Sequence, residues 1–300
     1  MTSGILLVDK PGGITSHDVV SRARRALGTR KVGHAGTLDP MATGLLILGV
    51  DSSTRLLTYL VGLGKRYTAT IRLGQSSTTD DADGELSEPT DATATTRAQI
   101  DTAIDALTGA ISQVPSTYSA IRVDGRRAYD RARSGEKVAL AARTVTVSRF
   151  EVLGETHILD GAGFGTYLVD LDVVVECSSG TYIRALARDL GAALGVGGHL
   201  TALRRTAVGP FEVADAVAVD AIAPEAMRAP AAVAEQLFPT VPLSDEQVAA
   251  LTQGKKVMVD GPDAPVVAAL AASGRLVGLV SVRDGIARVL VNFPTAEVLA

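Results

Sequence analysis

Hydrophobic and polar positions alternate most cleanly between Arg66 and Leu73. Tyr67, Ala69, Ile71 and Leu73 fall on one side, and Arg66, Thr68, Thr70 and Arg72 on the other. A period of two predicts a strand with one wet face. Ile5–Val8 and Tyr167–Cys177 are further β-rich runs. Two stretches carry the helical period instead. Val19, Val20, Ala23, Ala26 and Leu27 predict a helix capped by Ser16 and ended by Gly28, with Arg22, Arg24 and Arg25 facing outward. Ile100, Ala103, Ile104 and Leu107 predict another over Arg97–Thr108, stopped by Gly109. After the Ser178-Ser179-Gly180-Thr181 turn, Ile183, Leu186, Ala187, Leu190 and Leu194 mark a third. Arg184 and Arg188 lie on another of its faces. The Ala-rich stretch Ala214–Ala234 reads as mostly helical. From Pro239 and Pro242 onward, short β runs at 256–259, 266–270, 276–282 and 286–293 are divided by glycines. The pattern predicts an α+β fold with a β-rich tail.

One stretch fits no period. Lys31–Leu46, KVGHAGTLDPMATGLL, packs three glycines, a His, an Asp-Pro step and two threonines before an apolar run. Gly33 and Gly36 permit backbone angles that other residues avoid. Pro40 restricts Asp39. A tight loop presenting His34 and Asp39 from a stiff frame is expected.

Composition narrows the class. Apolar residues make up 46% of 300, enough for a substantial core in about two domains. A single cysteine, Cys177, rules out an internal disulfide and fits a reducing cytosol. The start, MTSGILLVDK, has no basic leader, and no apolar run approaches a membrane span of about 20 residues. A cytoplasmic protein without a membrane is expected. The net charge of −4 speaks against a nucleic-acid partner until its distribution is read. Residues 1–79 hold ten Lys/Arg against four Asp/Glu, whereas residues 80–120 hold one against eight. A basic face on an acidic protein can bind a phosphate backbone. Val114–Arg143 strengthens that reading. It interleaves Arg122, Arg126, Arg127, Arg131, Arg133, Lys137 and Arg143 with Tyr118 and Tyr129, a mixture suited to RNA phosphates and bases.

Five segments together resemble the TruB family of bacterial tRNA pseudouridine synthases. They are DKPGGITSHDVV (9–20), KVGHAGTLDPMATGLL (31–46), KRYTATIRLG (65–74), QVPSTYSAIRVDGRRAYDRARSG (113–135), and SSGTYIRALARDLGAALG (178–195) with LRRTAVGPF (203–211). The resemblance spans essentially the whole chain. It implies the pseudouridine synthase fold, a mixed and largely antiparallel sheet with flanking helices, over residues 1–238. An RNA-clamping insertion falls at about 121–145, and a PUA-like RNA-binding domain at 239–300.

The implied reaction converts uridine 55 in the T arm of tRNA to pseudouridine. It breaks the N1–C1′ bond, turns the base and joins C5 to C1′. No electrons or phosphates are transferred, so no cofactor and no metal are expected. By resemblance Asp39 is the catalytic nucleophile, acting on a flipped-out base. Arg184 keeps it ionised, and Tyr67 stacks on the base and is a candidate for proton removal at C5. His34, Gly36, Thr37, Tyr182 and Leu203 contact the substrate, as do Lys10, Arg126, Arg127 and Arg131. A monomer is expected, with a tRNA-folding role alongside catalysis. The alternatives are a non-catalytic RNA-binding or RNA-folding protein and a base-removing glycosidase. The latter generally needs a second carboxylate or an activated water, and no partner stands out near Asp39.

Overall fold

A computed structural model describes residues 3–117, 122–123, 126–127, 140–159 and 166–293. Strand β1 (Gly4–Lys10) leads to helix α1 (Ser16–Ala26), β2 (Val32–His34) and β3 (Thr43–Val50). Thr15 caps α1, not Ser16. Its side chain accepts from the Asp18 amide while Asp18 reaches back, so the capping box sits one residue earlier than expected. A 3-10 turn and α2 (Leu57–Val61) precede β4 (Lys65–Leu73), whose alternate residues are buried as the period-two pattern requires. Then come α3 (Arg97–Ala106), β5 (Gly109–Gln113), the two-residue strands β6 (Arg122–Val123) and β7 (Arg126–Arg127), β8 (Arg143–Leu159) and β9 (Tyr167–Cys177). Helix α4 (Ile183–Ala193) and β10 (Gly198–Val208) follow.

The stretch 214–234 is not mostly helical. It holds β11 (Phe211–Glu212) just upstream, β12 (Val217–Ala218), three 3-10 turns, and only then α5 (Pro230–Leu237). Its alanines carry helix propensity, but Pro224 and Pro230 each start a new turn. The tail adds β13 (Thr240–Leu243) and α6 (Asp245–Thr252) to the expected runs. These appear as β14 (Val257–Met258), β15 (Ala264–Ala271), β16 (Leu276–Arg283) and β17 (Ile286–Asn292).

The chain divides into two compact units. The first joins Met1–Gly62 to Val208–Ala300, and the second is Leu63–Ala207. In the first, β1 lies between β3, antiparallel, and β12, parallel, with β2 paired antiparallel to Leu48–Val50 of β3. The tail forms its own sheet in the order β13-β15-β16-β17-β14 around Val241, Leu251, Val267, Val277 and Val280. The Arg55 guanidinium donates to the Asn292 carbonyl of this sheet, and Tyr59 on α2 meets Phe238, just before β13, edge to face at 5.5 Å.

In the second unit the strands run in the order β10-β4-β9-β8-β5, with the β4–β9, β9–β8 and β8–β5 pairs antiparallel. Tyr67 pairs with Val175 across β4 and β9. Helix α4 sits close to the start of β10. A Cβ on Gly191 would come within 2.2 Å of the Gly197 backbone, so only glycine fits there.

Candidate active site

In the first unit, the Lys31–Leu46 stretch becomes β2, a loop and β3. β2 runs antiparallel to β3, with His34 opposite Leu48. The Ala35 amide still reaches the Ile47 carbonyl, at 2.9 Å. The chain then leaves the sheet at Gly36, whose φ of +99° is open to glycine alone at little cost. Gly33 does not take such an angle. It lies in β2, where a Cβ would press on Leu57 at 3.0 Å.

The loop is pinned on both sides of Asp39. On one side, the Ser16 hydroxyl accepts from the Leu38 amide at 2.8 Å and donates to the Leu38 carbonyl at 2.9 Å. On the other, the Pro40 carbonyl accepts from the Gly13 amide at 2.9 Å and from the Lys10 ammonium at 3.2 Å. Lys10 is 0% exposed, and its ammonium also donates to the Pro11 and Ile14 carbonyls. The 10–16 segment is therefore a cradle for 38–40. Asp39 stays half-buried, and its own carbonyl accepts from the Ala42 amide at 3.1 Å. Ser16 thus ties α1 to the loop rather than capping the helix.

In the second unit, Arg184 stands in the first turn of α4. Its guanidinium donates to the Thr79 carbonyl at 2.9 Å and pairs with the Asp81 carboxylate at 3.1 Å. The two side chains are 4% and 5% exposed. A buried ion pair of this kind holds a guanidinium in one place. Asp81 lies in the acidic stretch 80–120, yet it is buried. It accepts further bonds from the Thr79 hydroxyl and the Asp83 amide. One turn on, Arg188 pairs with Asp80 at 3.2 Å. Burial pushes the Asp80 carboxyl above its ordinary range, and the Arg188 and Arg184 charges pull it back.

Tyr67 is buried on β4 and Leu203 on β10. Tyr182, half-exposed, is the last residue before α4 and lies under the Arg143 guanidinium, 5.3 Å from its ring centre. Arg126 and Arg127 form β7, paired with β6, and Arg131 lies outside the described residues. Thus Lys10, His34, Gly36, Thr37 and Asp39 belong to the first unit, and Tyr67, Tyr182, Arg184 and Leu203 to the second.

Two residue chemistries in the second unit set a pH dependence. Lys65 and Cys177 pair across β4 and β9, both buried. Burial pulls the Lys65 ammonium down to about 8 from 10.5, helped by the Arg205 charge. Burial pushes the Cys177 thiol up to about 11 from 9.0. Between pH 8 and 10.5 the unfolded chain holds the extra Lys65 proton, so stability rises with pH. Between pH 9 and 11 the folded chain holds the extra Cys177 proton, so stability falls. The net rise is confined to pH 8–9 and amounts to about 1 kcal/mol. Urea midpoints of wild type are expected to climb across that window and those of Lys65→Met to stay flat. Parallel curves would refute the assignment.

Residues 24–183 match the TruB family pseudouridylate synthase N-terminal domain, and residues 184–244 the tRNA pseudouridylate synthase B C-terminal domain. The tRNA pseudouridine synthase B of Leifsonia xyli is 55% identical, over 99% of this chain and 98% of its own length. The enzyme of the same name from Nocardia farcinica is 64% identical over 74% of this chain and 70% of its own. The chain belongs to the TruB family. It is a pseudouridine synthase, an isomerase with a mixed α+β fold and a β-rich C-terminal part.

Solved structures agree on the fold of this TruB-family chain. A chain in an H/ACA RNP bound to a substrate RNA containing 2′-deoxyuridine superposes with a TM-score of 0.68. It is 26% identical, covering 97% of this chain and 85% of that one. A chain of a Cbf5-Nop10-Gar1 complex gives 0.67 at 27% identity, covering 98% and 84%. Among the described residues no helix is long and apolar enough to cross a membrane.

Proposed function

We propose that this chain isomerises uridine 55 in the T arm of tRNA to pseudouridine, with Asp39 as the nucleophile. The observation that carries this reading is the Asp39 loop. Its neighbours Leu38 and Pro40 are tied down by Ser16, Gly13 and Lys10, while Asp39 itself keeps partial exposure. A carboxylate that must meet one carbon atom of a ribose gains from such a frame. The names of the bacterial relatives supply tRNA as the substrate.

The reaction balances within the substrate. The N1–C1′ bond breaks, the freed base turns, and C5 bonds to C1′. The proton leaves C5, and N1 gains one. Asp39 holds C1′ or assists departure of the base. Tyr67 stacks on the flipped base and stands as the acceptor of the C5 proton. Arg184 supplies fixed positive charge, and Tyr182, Leu203, His34, Gly36 and Thr37 hold the substrate. Arg126, Arg127 and Arg131 bind RNA phosphate. The reading has a catalytic domain at 1–238 with its RNA clamp at about 121–145, and a PUA-like RNA-binding domain at 239–300. It describes a monomeric cytoplasmic enzyme that uses neither metal nor cofactor.

The test uses an unmodified tRNA transcript carrying tritium at uridine C5. Wild type is expected to release tritium to water from a single T-arm uridine. Tight, salt-sensitive tRNA binding without release would sink the proposal and leave an RNA-binding protein. Free uracil among the products would make the chain a glycosidase.

A further inference from the structure

Among the described residues, three other helices carry a local N-terminal cap. Thr15, Thr96 and Ser244 each form a capping box with the residue three positions on. Helix α4, which carries Arg184, does not. Its N-cap is Tyr182, with extended backbone and no side-chain cap bond. Tyrosine is a poor choice there on capping grounds.

The missing bonds come from a distant strand. Gln113, the last residue of β5, is 1% exposed. Its side-chain amide accepts from the Tyr182 N–H at 2.9 Å and donates to the Tyr182 carbonyl at 3.1 Å. The acceptor half does what the third residue of a capping box does, by satisfying the N-cap N–H. The donor half shares the carbonyl that already accepts from Leu186 in the first turn of α4. A carboxamide offers a donor and an acceptor side by side without a titratable proton. Opposite Gln113 in the β5–β8 pairing stands Arg143, and this is the arginine over the Tyr182 ring. One cross-strand pair therefore holds Tyr182 twice, by its backbone and by its ring. Two residues further on, Arg184 meets Asp81 and Thr79.

We propose that Gln113 and Arg143 are positioning residues for the reaction. Together they lock the strand-to-helix junction at Tyr182 and so fix where its ring and the Arg184 guanidinium stand. The inference rests on the roles given above to Tyr182 and Arg184. It explains why the junction uses tyrosine: with capping delegated to Gln113, the side chain at 182 is released for substrate.

Gln113→Met tests it with little change of volume. Both bonds to Tyr182 are lost and no ionisable group is introduced. Single-turnover tritium release is expected to fall about 100-fold, the scale of a misplacement near 1 Å. tRNA affinity is expected to stay within about threefold, since phosphate contacts dominate it. A residue that merely supports folding would lower Tm and leave the rate of the folded enzyme intact. In an Arg184→Lys background, Gln113→Met is expected to cost less than about threefold more, because both changes disturb one unit. Should Gln113→Met fail to fold, Arg143→Gln carries the test from a half-buried position. It is expected to slow release about fivefold with binding unchanged.

Wild-type rates in folded Gln113→Met, or full additivity with Arg184→Lys, would overturn the inference. So would an Arg143→Gln that weakens tRNA binding and leaves the rate alone, since that marks an RNA contact. Inactive wild type would overturn the functional reading first, and the inference with it. An active wild type with an unaffected variant overturns only the inference.

Discussion

Asp39→Asn is expected to reduce tritium release from C5-labelled tRNA by at least about 10,000-fold, the order seen when a nucleophile is removed from an enzyme. The substitution is isosteric. The bonds through the Leu38 and Pro40 backbones and the Ser16 and Lys10 side chains are untouched by it. The loop should therefore keep its form. Binding of tRNA is expected within about threefold of wild type. The amide cannot form the bond to C1′ or stabilise positive charge there. Single-turnover release within tenfold of wild type would show that another group does this work.

Asp81→Asn is expected to give the second largest effect, on both stability and rate. Asp81 and Arg184 are both almost wholly buried at 3.1 Å. Neutralising one member of such a pair costs about 3 kcal/mol, because the remaining charge keeps its desolvation penalty. Thermal unfolding is expected about 5–10 °C lower. The Thr79 carbonyl still accepts from Arg184, so the guanidinium stays inside but loses its orientation. The rate at a temperature well below unfolding is expected to fall about 100-fold. Asp80→Asn makes the control, since its partner Arg188 is more exposed and also bonds Asp189 and the Val114 carbonyl. Equal losses in the two variants would mean that Asp81 has no special claim on Arg184.

Much of this was legible in the sequence, for identifiable reasons. The strand Lys65–Leu73 and the run Tyr167–Cys177 stood out because burial on a sheet imposes period two or a continuous apolar run. The Asp39 loop stood out because glycine and proline cluster where backbone angles are special, and Gly36 bears that out. What the sequence hid were long-range bonds made by ordinary polar residues. Ser16, one residue into α1, has the composition of a cap yet ties the helix to Leu38. Asp81 is one of eight acids in residues 80–120, and nothing local says which is buried. Gln113 meets Tyr182 across 69 positions. The Ala214–Ala234 stretch misled for the opposite reason. Its composition favours helix, but its prolines and tertiary pairing decide otherwise, as in the parallel match of β12 to β1.

The first compact unit is discontinuous: it joins Met1–Gly62 to Val208–Ala300 around the contiguous Leu63–Ala207. On the ribosome this sets an order of events, since synthesis proceeds from the N-terminus. Leu63–Ala207 can collapse as soon as it has emerged. The first strand cannot find its neighbour at Val217–Ala218, nor Ile5 its bridge to Arg228, until most of the chain has been made. The strand that leads into the cradle is thus translated before Leu63–Ala207 and finds its last partners after it.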